Sequence, residues 1–245
     1  MNRPFGAVDG LPPGNRDFDS DSHLLNASYN KWKHGRFVGY TYLLELENSL
    51  GAAASGASYG GYFAGSAPVS DKVSLGCRAE FAWQTDYADS LLDYGTEYYN
   101  FELGANIKPF ALGAGYEVLG SDANDRLAGG RASFRTPLAT LHAFNGWNDL
   151  FLNTPAVGLR DFYAYAQVTL PWQVPLRFVY HKYEADSGSA DFGHEFNVMA
   201  TKSFGKHWTA MLKYGFYDGE DAAPPAIAVP DIDVHKFWTQ LEFNY

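Results

Sequence analysis

The chain has 245 residues, enough for one large all-β domain or two small ones, and it carries 17% aromatic residues and 25 glycines. Charged residues make up only 19%, and the formal net charge of −10 repels phosphate, which argues against a nucleic-acid partner. A single cysteine, Cys77, excludes an internal disulfide, and no apolar run approaches the ~20 residues of a membrane-spanning helix.

The N-terminal segment, residues 1–22, is polar and turn-rich, with LPPGN followed by DFDSD. MNRPFGAVDG lacks the apolar stretch of a secretory signal. Asp17, Asp19 and Asp21 fall at alternate positions, as a calcium loop begins. Such a loop needs Gly at its sixth position and Glu at its twelfth, and here Ser22 and Ser28 stand there, so a solvated acidic loop is the better reading.

Beyond this segment the pattern predicts eleven strands, most with apolar and polar residues alternating. Over residues 72–85, Val73, Leu75, Cys77, Ala79, Phe81 and Trp83 share one face, with Ser74, Gly76, Arg78, Glu80 and Gln84 on the other. Tyr99, Phe101, Leu103, Ala105 and Ile107 oppose Asn100, Glu102, Gly104 and Asn106. Phe110, Leu112, Ala114, Tyr116 and Val118 oppose Gly113, Gly115 and Glu117. Trp208, Ala210, Leu212, Tyr214 and Phe216 oppose Thr209, Lys213 and Gly215. In the last strand Phe237, Leu241, Phe243 and Tyr245 oppose Gln240, Glu242 and Asn244.

These strands often reach ten residues, against ~5–6 in ordinary globular sheets and ~9–11 for a strand that crosses a bilayer. No charge falls on the middle of the apolar faces, where in lipid it would cost ~2–4 kcal/mol. Tight turns are predicted at 31–36, 66–71, 106–110, 170–176 and 203–207, and long polar connections at 47–58, 86–97, 120–160, 184–191 and 218–233. Short and long alternate throughout. A soluble sandwich has no reason to gather its long loops at one end, whereas an outer-membrane barrel keeps short turns on the periplasmic side and long loops outside. The expectation is an all-β, antiparallel, up-and-down transmembrane β-barrel occupying residues 1–245. Its odd strand count, against the even counts of single-chain bacterial barrels, predicts an N-terminally truncated part of a larger barrel.

The segments 19–29, 40–48, 134–163 and the ending KFWTQLEFNY resemble the alginate-export-like outer-membrane porin family of proteobacteria, most specifically over Phe134 to Tyr163. The resemblance implies a barrel of about eighteen strands, of which this chain is the C-terminal part, that passes or exports small solutes or saccharides through the bacterial outer membrane. It implies as partners the outer-membrane lipid, a small-molecule or saccharide solute and the barrel assembly machinery, which reads the aromatic strand end at Phe243 and Tyr245.

A polyanion channel should present cations to its lumen. The lumen-facing set here includes Glu45, Glu80, Glu102, Glu117, Glu195 and Glu242 against Arg78, Arg177 and Lys213, an acidic balance. The pore-lining candidates are therefore Glu80, Glu102, Glu117, Arg78, Lys213 and Glu195, and the alginate substrate does not carry over. In the long loop 120–160, Arg135, His142, Asn145, Trp147 and Asp149 are candidates for a pore constriction, with Trp147 or Phe144 to stack on a sugar. The plainer reading is a loop packed against the inner wall, which Leu138, Leu141 and Phe144 favour.

An outer-membrane enzyme on a barrel scaffold is the alternative, as is a soluble β-sandwich binding module. The seven histidines are dispersed with no metal-ligand spacing, and neither HExxH nor GxSxG occurs. His194 near Ser203 or Asn197 is the nearest thing to a catalytic group. No cofactor, metal or catalytic residue is expected, and Cys77 reads as a small lipid-facing residue.

Overall fold

The computed structural model describes residues 20–46, 55–90, 92–122, 132–139, 144–220 and 232–245. In chain order its strands are β1 (His23–Tyr29), β2 (Gly35–Leu44), β3 (Gly56–Ser70), β4 (Val73–Thr85), β5 (Gly95–Ile107), β6 (Phe110–Leu119), β7 (Ser121–Asp122), β8 (Ala132–Ser133), β9 (Leu159–Leu170), β10 (Val174–Glu184), β11 (Asp191–Phe204), β12 (Trp208–Asp218) and β13 (Val234–Phe243). Eleven of them form one antiparallel sheet in the order β1-β2-β3-β4-β5-β6-β9-β10-β11-β12-β13, while β7 and β8 pair with each other. Every long strand pairs with its neighbour in the chain, the up-and-down topology that the alternating turns predict. Among the described residues no helix is long and apolar enough to cross a membrane.

The connections alternate as expected. Two residues join β3 to β4 and two join β5 to β6, and the β9–β10 turn is a single 3-10 turn, Pro171–Gln173. The strands run further into all of these turns than the pattern indicates, and furthest at 66–71. Residues 66–70, predicted as part of a turn, continue β3, which turns only at Asp71 and Lys72. Pro68 is tolerated there because the pairing of β3 with β2 has already ended at Gly65. Its missing N–H faces no partner strand, and the register shifts one residue later. Glu45 lies just past the end of β2 rather than within a strand.

The two faces of the sheet differ as the alternation requires. Leu103 is 70% exposed, and Phe110, Leu212 and Phe243 are each more than half exposed on the same outer face. Among the described residues no second sheet covers this face, as the core of a sandwich would require. Cys77 belongs to this outer face, exposed and paired across the strands with Leu103.

The polar face is concave. Tyr40 on β2 reaches over β3 to donate to Glu80 Oε1 on β4 at 2.9 Å, and Tyr163 on β9 reaches over β6 to donate to Glu102 Oε2 on β5 at 2.9 Å. Glycine makes this reach possible. A Cβ on Gly113 or Gly115 of β6 would collide with the Tyr165 or Tyr163 ring lying over it. The core sits at the long-loop end of the concave face, where Phe134 and Phe151 pack with Leu119, Leu159, Tyr183, Phe192 and Tyr217.

Candidate functional site: the concave wall and the loop laid across it

The connection between β6 and β9 does not stand away from the sheet. Its described parts lie against the concave face and touch strands from β4 to β13. At one end, Gln84 on β4 clamps the backbone of Arg135: its amide Nε2 donates to Arg135 O at 2.9 Å and its Oε1 accepts from Arg135 N at 2.7 Å. Burial lowers the Arg135 guanidinium from its ordinary range, with the neighbouring Tyr94 hydroxyl opposing that shift.

The other end is the sequence NGWND. Asn145, Gly146 and Asp149 all have positive φ, at 51°, 87° and 57°. These are residue types that adopt the left-handed conformation at least cost, and they coil the chain so that its N–H groups point at the wall. Trp147 N and Asn148 N both donate to Glu195 Oε1 on β11, the latter at 3.1 Å. Asn145 Nδ2 donates to Glu117 Oε2 at 2.7 Å and to Asp161 Oδ2 at 3.3 Å. Gly146 lies so close that a Cβ there would come within 2.7 Å of the Glu195 carboxylate. Further along, Lys236 Nζ donates to Asn148 O. Lys213 Nζ lies 5.0 Å from the Trp147 ring centroid and 4.6 Å from that of Trp238, a cation between two indoles that ties loop to wall.

The six pore-lining candidates all fall on the concave face, in two different settings. Glu117 and Glu195 are buried beneath the loop, as is Lys213. These three hold the loop; they do not border open space. Glu80, Arg78 and Glu102 lie in the uncovered part of the wall, with each charge partnered. Arg78 Nε donates to Glu80 Oε2 at 3.1 Å, and its guanidinium lies 4.0 Å over the Tyr62 ring. Glu102 accepts from Tyr163 and, at 3.2 Å, from Tyr165. Arg36 and Arg177 also lie over tyrosine rings, at 5.4 Å and 4.7 Å. Of the constriction candidates, Arg135, Trp147 and Asp149 belong to the loop, and His142 lies outside the described residues. So do Asp17 and Asp19 of the acidic N-terminal segment.

Residue spacing did not reveal the groups that complete the anchor. Asp161 and His181 are both buried, with His181 Nδ1 2.9 Å from Asp161 Oδ2, and Tyr98 donates to Glu117 Oε1 at 2.6 Å. Strand parity was the available signal, since Asp161 shares its face with Tyr163 and Tyr165, but the predicted loop ran through residue 160. His194 does not approach Asn197 or Ser203. It points to the outer face, 3.3 Å from Asp218, while Asn197 faces inward. Among the described residues no group of three or more His, Cys, Asp or Glu side chains is arranged to hold a metal ion.

No protein-family model matches the sequence. No curated protein matches it either. Solved structures do match the fold. OccD1 (OprD), in a Y282R/D307H variant, superposes with a TM-score of 0.62 at 12% identity, over 91% of this chain and 59% of that one. OccK5 (OpdH) of Pseudomonas aeruginosa gives 0.60 at 14% identity, over 91% and 58%. OmpF of Salmonella typhi, in a complex with daunomycin, gives 0.58 at 11% identity, over 90% and 61%. The chain thus spans about three fifths of the length of these proteins. They are outer-membrane porins, and the sheet described above has the fold of a porin barrel wall.

Proposed function

We propose that the chain forms the wall and constriction of an outer-membrane channel through which small hydrophilic solutes pass, without catalysis. One observation carries this reading: the longest connection is bonded across the polar concave face of a sheet whose other face is an exposed apolar band. A soluble protein gains nothing from such a band, whereas a lipid-facing wall requires it. A loop fixed inside the concavity narrows whatever passage the wall encloses. Membership of the alginate-export-like group, suggested by residues 134–163, is part of the proposal. So are the outer-membrane address and recognition of the Phe243–Tyr245 ending by the barrel assembly machinery.

A polyanion is not the proposed solute. Arg78 is ion-paired with Glu80, and Lys213 is enclosed between indoles. Arg36 and Arg177 lie over tyrosine rings. Small neutral or cationic solutes and saccharides fit better, with Trp147 and Phe144 as the aromatic surface of the loop.

Single-channel recording in planar bilayers tests the reading. The purified protein should form ohmic pores, and Glu195→Ala combined with Asn145→Ala should increase the conductance or its fluctuations by freeing the loop. A protein that inserts into bilayers without conducting, with and without these substitutions, would refute it.

A further inference from the structure

The two ends of the sheet differ in charge. The tight turns between paired strands are residues 30–34, 71–72, 108–109, 171–173 and 205–207. Together they carry five lysines, Lys31, Lys33, Lys72, Lys108 and Lys206, against a single carboxylate, Asp71. All five lysines are exposed, and none forms an ion pair with a described carboxylate. The opposite end is acidic. There the described residues of the β2–β3, β4–β5, β6–β9, β10–β11 and β12–β13 connections include Asp86, Asp89, Asp186 and Asp233, with Arg135 as the one lysine or arginine. In a chain of net charge −10 the cationic turns are a local enrichment, not a reflection of composition.

These turns form a connected rim. Lys108 N donates to Lys72 O at 3.3 Å and Thr169 N to Pro109 O at 3.1 Å, so neighbouring turns are bonded to one another. Lys202 Nζ donates to Trp172 O across the next pair. Exposed indoles stand beside the lysines. Trp32, between Lys31 and Lys33 in the chain, stacks on Phe37 of the outer face with ring centroids 5.7 Å apart. Trp208, two residues after Lys206, packs on Phe243 at 4.7 Å. Trp172 is 82% exposed, and both it and Gln173 have positive φ, 61° and 59°, a costly conformation for residues with side chains of this size.

We infer that the short-turn end of the sheet is a docking rim for anionic phospholipid headgroups, with the lysines meeting phosphate and the indoles lying at headgroup depth. Each half of the rim fits this partner. Lysines close to an anionic bilayer surface are drawn to it, and indoles favour the membrane–water interface because they join an apolar ring to an N–H that bonds with water or headgroups. An acidic soluble protein would account for the lysines but not for indoles continuous with the apolar outer band. The inference rests on the outer-membrane reading proposed above.

Spin-label electron resonance on the whole protein reconstituted in phosphatidylcholine vesicles tests it. Traces of spin-labelled phosphatidylglycerol or phosphatidylcholine report how much of each lipid the protein holds. A lysine at the surface favours an anionic headgroup roughly fivefold, so averaged over the whole lipid shell phosphatidylglycerol should be preferred about twofold at low salt. The preference should vanish in ~1 M KCl, where the Debye length is ~3 Å. Lys31→Gln, Lys33→Gln, Lys72→Gln and Lys108→Gln combined should abolish it. Lys182→Gln, which removes a cation paired with Asp191 at the opposite end, should not. Equal retention of the two lipids by the unsubstituted protein, or a preference unchanged in the fourfold variant, would overturn the rim and leave the membrane reading standing. Displacement of phosphatidylglycerol by excess glycerol phosphate at matched ionic strength would also overturn it, because the rim would then be a site for free phosphate. A protein that holds neither lipid would overturn both readings. If the fourfold variant does not insert, the headgroup and salt comparisons on the unsubstituted protein still decide.

Discussion

Single residues of this molecule act through what they leave unpaired when removed. Glu195 accepts two backbone N–H groups of the loop, and truncating it strands both donors in a buried setting. Glu195→Ala should destabilise the folded protein by about 1.5–3 kcal/mol, and Glu195→Gln, which keeps an acceptor, by less; denaturant titration in micelles at unchanged slope measures both. Gly115→Val should be comparably harmful for a steric reason, because its side chain takes the space of the Tyr163 ring. Overpacking of this kind costs about 1–3 kcal/mol, read in the same denaturant titration. Tyr94, in the β4–β5 connection, is a pH-sensitive point. Burial, with a smaller contribution from Asp86 and opposition from Arg135, pushes its phenol from 10.0 up to about 12. A proton held more tightly in the folded state contributes stability that is whole below pH 10 and is lost as the pH rises towards 12. Stability should therefore fall between about pH 10 and 12 by up to ~2–3 kcal/mol, and Tyr94→Phe should flatten that fall.

At the scale of elements, the strands and the long loop differ in how far the sequence discloses them. The long strands follow from strict alternation, and the outer face of β5 illustrates why. Tyr99, Phe101, Leu103, Ala105 and Ile107 can share a face only in an extended chain with a period of two. Leu103→Arg is accordingly expected to cost ~2–4 kcal/mol in lipid, measured by refolding into vesicles, while the same change on a soluble sheet would be nearly silent. The loop is different. NGWND announces left-handed turns, but nothing local says that its N–H groups meet Glu195, 47 and 48 residues further on. The Asp161–His181 pair was equally hidden, because a carboxylate and an imidazole twenty residues apart become neighbours only through the register of β9 with β10.

At the scale of the whole molecule, the expected property is weak, cation-leaning ion selectivity. The sequence count of lumen-facing glutamates overstates the field, since Glu117 and Glu195 are under the loop and Glu80 is ion-paired. Glu102 remains in the uncovered wall, softened by two tyrosine hydroxyls. Reversal potentials across a KCl gradient should show a small cation preference that fades with salt, as the Debye length falls from ~10 Å at 0.1 M to ~3 Å at 1 M. Glu102→Gln should reduce it further. Clear anion selectivity, unchanged by that substitution, would contradict the proposed solute class.

The sequence by itself determined the all-β class, the number and faces of the long strands, and the alternation of short turns with long connections. These properties depend on residues close together in the chain, through the two-residue period of a strand and the chemistry of turns. Only the tertiary structure decided which polar residues remain open to the concavity and which are spent holding the loop. That outcome depends on where the described parts of the connection 120–158 lie against strands far from them in the chain. Burial, partners and electrostatic weight of Glu117, Glu195 and Lys213 are set there, because a carboxylate facing inward means one thing beneath a layer of backbone donors and another beneath water.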